Sequence, residues 1–397
     1  MRTNLIALGI AAMLVTACAI DQPTGVAETG NVVAAKQSTD QSATKFWEVG
    51  ASVGWNRHAA TLMDRRQADA IRFMAYISMA QYRAAEAAQA APGPHPPIAA
   101  AIGGASAAIM RALFPLDGAD IDRWLAEQRA ADRWPGAKHD DFDAGVAIGR
   151  SVAAAVRAHM LTDNWALTSP GTPPTGAGRW AYTAGGPIAR GGFGARAFYL
   201  ASPNQFLPPP PPAFGSATFL AALAEVRQIS DTRTPAQLAL AQYWHLAQSP
   251  RSAEGMNSIA RRLIVQYRRK DAEAARILFL MNSAAFDAAI GCFHAKFTYW
   301  YIRPTQADPR ITLAVALPPH PAYPSAHSCL SGASTTVMSA MFPSEARYLS
   351  DVALEAGLSR VYAGLHYWFD AEAGLHLGAQ VAGLAIAADL DEVATLP

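Results

Sequence analysis

Between Asp64 and Ala91, Ile71, Met74, Ala75, Ser78, Met79 and Tyr82 recur at offsets 0, 3, 4, 7, 8 and 11. That spacing keeps the six side chains on one face of a 3.6-residue helix and predicts an amphipathic α-helix there. Similar patterning predicts helices over Ile98 to Phe114, Ile121 to Ala131 and Phe142 to His159. Thr234 before Pro235 reads as an N-cap with proline at the first helical position, opening a helix through Leu246. A further long helical region is predicted from Asp271 to Tyr301. No alternating run of β-branched residues predicts a sheet, and no internal repeat is visible.

Two segments break the helical pattern. Ser169 to Ser216 is rich in Gly, Pro and aromatic residues, with five consecutive prolines at Pro208–Pro212. Connections this long are uncommon in compact domains unless functional or disordered. Trp180, Tyr182, Phe193, Phe198 and Phe206 predict a connection packed on the surface. At the N-terminus, Met1-Arg2 precedes an apolar run from Leu5 to Val15 and then Thr16-Ala17-Cys18. This predicts a signal peptide over residues 1–17, its apolar run too short to span a bilayer. The LVTAC end resembles a bacterial lipobox, in which Cys18 is lipidated; an ordinary signal peptide with an incidental cysteine is the alternative. Residues 18–45 read as a flexible polar tether and 46–397 as a single domain. The expected location is exported, periplasmic or tethered to the outer membrane. Later apolar stretches all carry polar interruptions; the richest, Gly374 to Leu390, contains His376, Gln380 and Asp389.

Composition adds limits. Of 397 residues, 51% are hydrophobic and 16% charged, enough to fill a sizeable core. The net charge of +1, from 32 basic and 31 acidic residues without long runs, leaves no electrostatic footprint for nucleic acid. Any charged ligand must be held by local charge. An exported location permits a disulfide between Cys292 and Cys329, but two buried thiols are the expectation, since sequence alone does not bring their Cα atoms within bonding range.

Candidate chemistry concentrates between residues 287 and 370. In Lys296-x6-Arg303-Pro304, a helix would put both cations on one face about 10 Å apart, ended by Pro304. Two such cations ordinarily snorkel to water, yet Phe286, Ile290, Phe293, Phe297 and Trp300 predict a buried helix, and buried cations need anions. In HPAYPSAHSCLSGA, residues 320–333, a proline-stiffened loop leads into a helix of small residues. Helix N-termini are natural anion sites. Ser325 is equally a plain N-cap, and His327 a core histidine. In Ser359-Arg360-x5-His366-x3-Asp370, the i,i+4 carboxylate can fix the His366 tautomer and leave the other ring nitrogen free. Three fixed cations repel a divalent metal and suit a tetrahedral oxyanion.

Lys296-x6-Arg303-Pro304, Pro324-Ser325-Ala326-His327 and Ser359-Arg360-x5-His366-x3-Asp370 resemble the three signature motifs of the type 2 phosphatidic acid phosphatase (PAP2) and vanadium-dependent haloperoxidase superfamily. WNRHAATLM, AIRFMAYISMAQYRAA, ASPNQFLPPPPPAFGS and FDAAIGCFHAKFTYWYIRP extend the likeness toward its soluble bacterial haloperoxidase-like branch. The resemblance covers roughly residues 50 to 390 and implies an all-α fold of helical bundles. It implies that Lys296, Arg303, Ser325, the N–H of Ala326 and Arg360 hold the oxygens of vanadate or phosphate, and that His366 bonds the central atom. In a haloperoxidase the cofactor is vanadate, His366 ligates vanadium, and His327 assists peroxide, which halide then attacks. In an exported acid phosphatase His366 becomes a phosphohistidine and His327 protonates the leaving alkoxide of a phosphate ester. An inactive lipoprotein with a degenerate site is the third alternative. Ala326 replaces the family's glycine, adding a Cβ and penalising positive φ. His320 stands where the resemblance places phenylalanine in chloride-oxidising members and histidine in bromide-oxidising ones; it would otherwise only cap the loop between prolines.

Overall fold

Among the described residues, thirteen α-helices and no strand make up the chain; the computed structural model describes residues 49–92, 96–131, 139–165, 171–181, 195–248 and 253–395. The signal peptide, Cys18, the tether, Tyr182 and Phe193 lie outside them. The helices are α1 (Ala51–Arg66), α2 (Ala70–Gln89), α3 (Ile98–Leu113), α4 (Gly118–Ala131), α5 (His139–Met160), α6 (Ala217–Thr232) and α7 (Pro235–Ala247). They continue as α8 (Glu254–Gln266), α9 (Asp271–Tyr299), α10 (Pro304–Ala307), α11 (Ala326–Met341), α12 (Ala346–Tyr362) and α13 (Trp368–Thr395).

The all-α expectation holds, with boundaries set by local chemistry. The helix expected from Asp64 is interrupted: Gln67 adopts a left-handed conformation (φ 52°) that ends α1, and the Asp69 side chain accepts the Arg72 N–H to cap α2. Thr234 caps α7 as its sequence predicts, with Gln237 returning the bond in a capping box.

Helix α9 is the axis of the fold. Its side chains are apolar nearly all round and buried from Ala274 to Phe297, the pattern of a helix enclosed by others. On one side it packs against α2, which joins α3 and α5; on another it meets α11 and α13. By length and hydropathy, α9 and Trp368–Leu390 of α13 would suffice to cross a membrane; 89% of the α9 window is buried inside the protein, against 39% in α13. Glycines let α11 and α13 approach closely. A Cβ on Gly374 would lie 2.6 Å from the Ser325 carbonyl oxygen and 2.8 Å from the Ser328 Cβ. This contact seats the start of α11 against the start of α13, where the Ser325 N–H donates to the Asp370 carbonyl at 2.8 Å.

The described parts of the Pro/Gly-rich connection are tied down. Tyr299, Tyr323 and Tyr301 donate their hydroxyls to the carbonyls of Pro208, Pro209 and Pro212. The buried Asp287 of α9 accepts the N–H groups of Phe198, Tyr199 and Leu200 at 2.7–3.0 Å. Burial raises the Asp287 carboxyl to about 6 against the lowering effect of those three donors.

Candidate active site

Trp300 ends α9 by turning left-handed (φ 49°, ψ 42°), its N–H bonded to the Lys296 carbonyl. The next residues run extended, and Arg303 becomes the N-cap of α10. This corrects the expectation of one helix carrying Lys296 and Arg303 on a common face. Pro304 begins the next helix rather than ending this one. The turn still directs both cations inward, and each is fully buried.

Lys296 Nζ donates to three backbone carbonyls of the motif loop, Pro321 at 2.9 Å, Ala322 at 2.8 Å and Pro324. All its donors are engaged, so it braces the loop and contributes charge. Arg303 donates to the His320 carbonyl, to the Leu365 carbonyl at 2.8 Å, to His366 Nε2 at 2.9 Å and to His320 Nδ1 at 3.0 Å. Arg360 donates Nε to Ser359 Oγ and Nη2 to the Ala241 carbonyl. Its Nη1 is buried with no partner.

His366 lies two residues before α13, so its pair with Asp370 is not the within-helix contact expected from i,i+4 spacing. The carboxylate instead folds back over the helix start, accepting His366 Nδ1–H at 2.9 Å and the Tyr367 N–H at 3.2 Å. Nδ1 therefore carries the proton, and Nε2 presents a lone pair to Arg303.

Burial sets the electrostatics. It lowers Lys296 to about 8, Arg303 to about 10 and Arg360 to about 9, with Arg303 adding repulsion at the other two. It raises Asp370 to about 7 against the pull of Lys296 and Arg303. His366 is held well below the usual histidine range by burial and then Arg303. His327 is held down by burial and then Arg360.

Ser325 caps α11 as expected, its hydroxyl accepting the Ser328 N–H at 3.5 Å. Ala326 occupies the first helical position with an ordinary backbone, and packs against the cluster of Trp180, Phe293, Phe297 and Trp300. His327 donates Nε2–H to the Trp244 carbonyl at 3.0 Å, leaving Nδ1 as acceptor. His320 sets its ring edge-to-face on Phe293 at 5.3 Å, a larger role than capping a loop. Cys292 and Cys329 are free, buried thiols.

These groups border a cavity of about 610 Å³ whose wall includes His320, Ala326, His327, Arg360 and His366. Lys296, Arg303 and Ser325 stand behind that wall. Sequence reasoning missed the contribution of α7 and its C-cap: the helix supplies the Ala241 and Trp244 carbonyls and the His245 side chain, and the C-cap residue Gln248 lines the cavity beside them. Carbonyl acceptors leave no letter in a sequence, but three polar or aromatic residues in Tyr243-Trp244-His245 were a usable signal.

Among the described residues no carboxylate lies within ion-pair distance of Lys296, Arg303 or Arg360, and no three His, Cys, Asp or Glu side chains converge as metal ligands. The donor set fits an oxyanion: a histidine lone pair, an orphaned guanidinium nitrogen and a helix start. Fold and site thus define a protein that is helical throughout its described residues, with buried cations and a helix start gathered around one histidine.

Residues 276–392 match the model of the PAP2 superfamily. The solved structure of a bacterial vanadium-dependent iodoperoxidase is similar at TM-score 0.69 and 23% identity, over 85% of this chain and 94% of that one. Apo and holo structures of a bacterial vanadium-dependent chloroperoxidase follow at TM-scores 0.61 and 0.60 with 15% and 14% identity. They cover 79% and 86% of this chain and 91% and 93% of theirs. No curated protein matches the chain. The site-bearing segment is thus similar to the PAP2 superfamily, and the chain has the fold shared with bacterial vanadium-dependent haloperoxidases.

Proposed function

We propose that the protein is a haloperoxidase that oxidises halide, bromide or iodide in preference to chloride, with hydrogen peroxide at a histidine-held vanadate. The observation that carries the reading is three buried cations without a carboxylate partner: Arg303, bonded to His366 Nε2, Arg360, whose Nη1 is unpartnered at the cavity, and Lys296. A tetrahedral oxyanion supplies what those cations lack. Arg360 Nη1 and the Ala326 N–H, at the cavity wall, would hold its oxygens; Arg303 and Ser325, behind the wall, would join them by exchanging present partners; Lys296 would add charge, and His366 Nε2 would be the protein ligand. Vanadate, when bound, supplies a Lewis-acid centre that makes peroxide electrophilic toward halide.

The residues around it have distinct tasks. Asp370 fixes the His366 tautomer so that Nε2 offers its lone pair. The Trp244 carbonyl holds His327 with Nδ1 toward proton exchange. Halide, hydrogen peroxide and one proton give hypohalous acid and water, so a proton must enter the cavity, and in this reading His327 handles it. His320, bonded to Arg303 at the cavity wall, supports the halide preference.

A second reading, an exported acid phosphatase, is favoured by the His366–Asp370 pair, which leaves Nε2 nucleophilic. A degenerate site finds no support at Ala326, whose backbone is unstrained. One preparation tests these together: bromination of a phenol dye with peroxide and bromide, with and without orthovanadate, beside hydrolysis of an aryl phosphate. Orthovanadate is expected to activate bromination. Phosphate hydrolysis inhibited by orthovanadate, without bromination, would select the phosphatase; folded protein inactive in both would exclude both enzymes. His366→Ala is expected to abolish activity, whereas His327→Ala keeps oxyanion binding and loses turnover by about 10²–10⁴-fold.

A further inference from the structure

Helix α7 turns a stripe with unmet polar groups toward the cavity. Ala241, His245 and the C-cap residue Gln248 follow one another at helical spacing, and the last two line a wall otherwise furnished by Leu246, Leu317, Leu330 and Leu365. Neither the oxygen nor the nitrogen of the buried Gln248 amide is bonded. The His245 ring, half-buried in the last turn, makes no hydrogen bond or ion pair among the described residues.

The same turns of α7 anchor two members of the site. Arg360 Nη2 donates to the Ala241 carbonyl, and His327 Nε2–H to the Trp244 carbonyl at 3.0 Å. A helical side chain leans toward the helix N-terminus and covers the turn before its own. The His245 ring therefore leans over the Ala241 turn, where Arg360 is held with its Nη1 unpartnered at the cavity.

Opposing influences meet at this ring. Carbonyl dipoles at the end of α7 favour a cation there. Burial, and then the Arg360 charge, oppose one and hold His245 below the usual histidine range. His327 of α11 lies close enough to feel His245 as a like charge. The carboxylates of the helices packed on α7 are engaged elsewhere: Glu355 of α12 accepts Trp244 Nε1–H at 3.0 Å, and Glu254 of α8 pairs with Arg261. An anion arriving at Arg360 Nη1 would tip this balance, cancelling the repulsion and offering the imidazolium an acceptor.

We propose that His245 is a switchable fourth cation of the oxyanion site, taking up a proton as the anion binds beside Arg360. The inference rests on the oxyanion reading of the cavity and adds to it a coupling between anion and proton. Linkage makes that coupling reciprocal, so acid tightens anion binding through this one side chain.

The test is sulfate binding by titration calorimetry at about pH 8 and about pH 5, on either side of the ordinary histidine range. Sulfate keeps its charge throughout. At the higher pH, wild-type protein and His245→Gln are expected to bind alike. At the lower pH the wild type is expected to bind about tenfold more tightly than the variant, the worth of a charge-assisted hydrogen bond. His245→Lys, charged at both, is expected to bind about tenfold more tightly than the wild type at the higher pH. A wild type and His245→Gln that differ equally at both pH values, as a merely structural role would give, or do not differ at either, overturn the proposal and leave the oxyanion site standing. Should His245→Gln not fold, a folded His245→Lys without the gain overturns it alone. Folded wild-type protein that binds neither sulfate nor orthovanadate at either pH removes the oxyanion site, and the proposal with it.

Discussion

The helices before the long connection and the helices around the cavity bury ions in opposite ways. In the first region the buried partner is an anion. Asp163, 1% exposed, accepts Arg72 Nε at 2.8 Å and Nη2 at 3.0 Å, along with the Trp165 N–H at 2.9 Å. Asp117 is likewise buried beneath Arg65 and Arg66, whose guanidinium groups lean toward solvent. Around the cavity the cations are buried, and Asp370 spends its bonds on His366 and Tyr367 instead. The first arrangement is complete within the chain. The second has no carboxylate partner among the described residues and is the one that the proposed oxyanion would complete, which would separate residues that hold the fold from residues that hold a ligand.

Substitution should therefore act with opposite sign in the two regions. Asp163→Ala strands a partly buried guanidinium and is expected to cost about 3–5 kcal/mol in urea denaturation. Arg360→Met removes a buried charge that has no carboxylate, and is expected to leave stability unchanged or raise it by about 1–4 kcal/mol. The same variant should lose oxyanion affinity by about 10–100-fold, the worth of one charge-assisted hydrogen bond. If both variants lost stability equally, the contrast between the regions would fail.

A smaller effect is expected from pH. Lys296 is lowered to about 8 in the fold from an ordinary value near 10.5, so its neutral form is favoured by burial. That contribution to stability is present in full above the unfolded value and is lost as pH falls through about 8, where the cation must be accommodated. Anion affinity follows the charge in the other direction. Binding of sulfate, whose charge is constant over this range, should weaken as pH rises through about 8, and Lys296→Met should flatten that limb. The smallest effect is Ala326→Gly: about 0.5–1 kcal/mol lost in the first turn of α11, with anion binding retained, because Ala326 needs no positive φ.

Much of this was legible in the sequence, in proportion to how local each feature is. Periodicity located the α2, α3 and α5 helices, and the Thr234 and Ser325 caps were readable because a cap depends on its own next three residues. The motif residues were identifiable, but not their mounting. Arg303 reaches the site only because Trp300 adopts a left-handed turn that propensity disfavours in a tryptophan. His366 meets Asp370 across a helix start, which spacing alone does not distinguish from one turn within a helix. The role of Asp287 depends on Phe198, Tyr199 and Leu200, nearly ninety residues away. Gln248 carries no sequence signal at all, since its significance is the absence of partners inside a cavity formed by other segments.

The central claim is that three buried cations await an oxyanion beside His366. Its most direct measurement is calorimetric titration of the full-length protein with orthovanadate, repeated on Arg360→Met. The account predicts one saturable site per chain with a raised unfolding temperature on binding, and an affinity loss of about 10–100-fold in the variant. Folded wild-type protein that binds no orthovanadate, or an Arg360→Met variant that binds it undiminished, would contradict it.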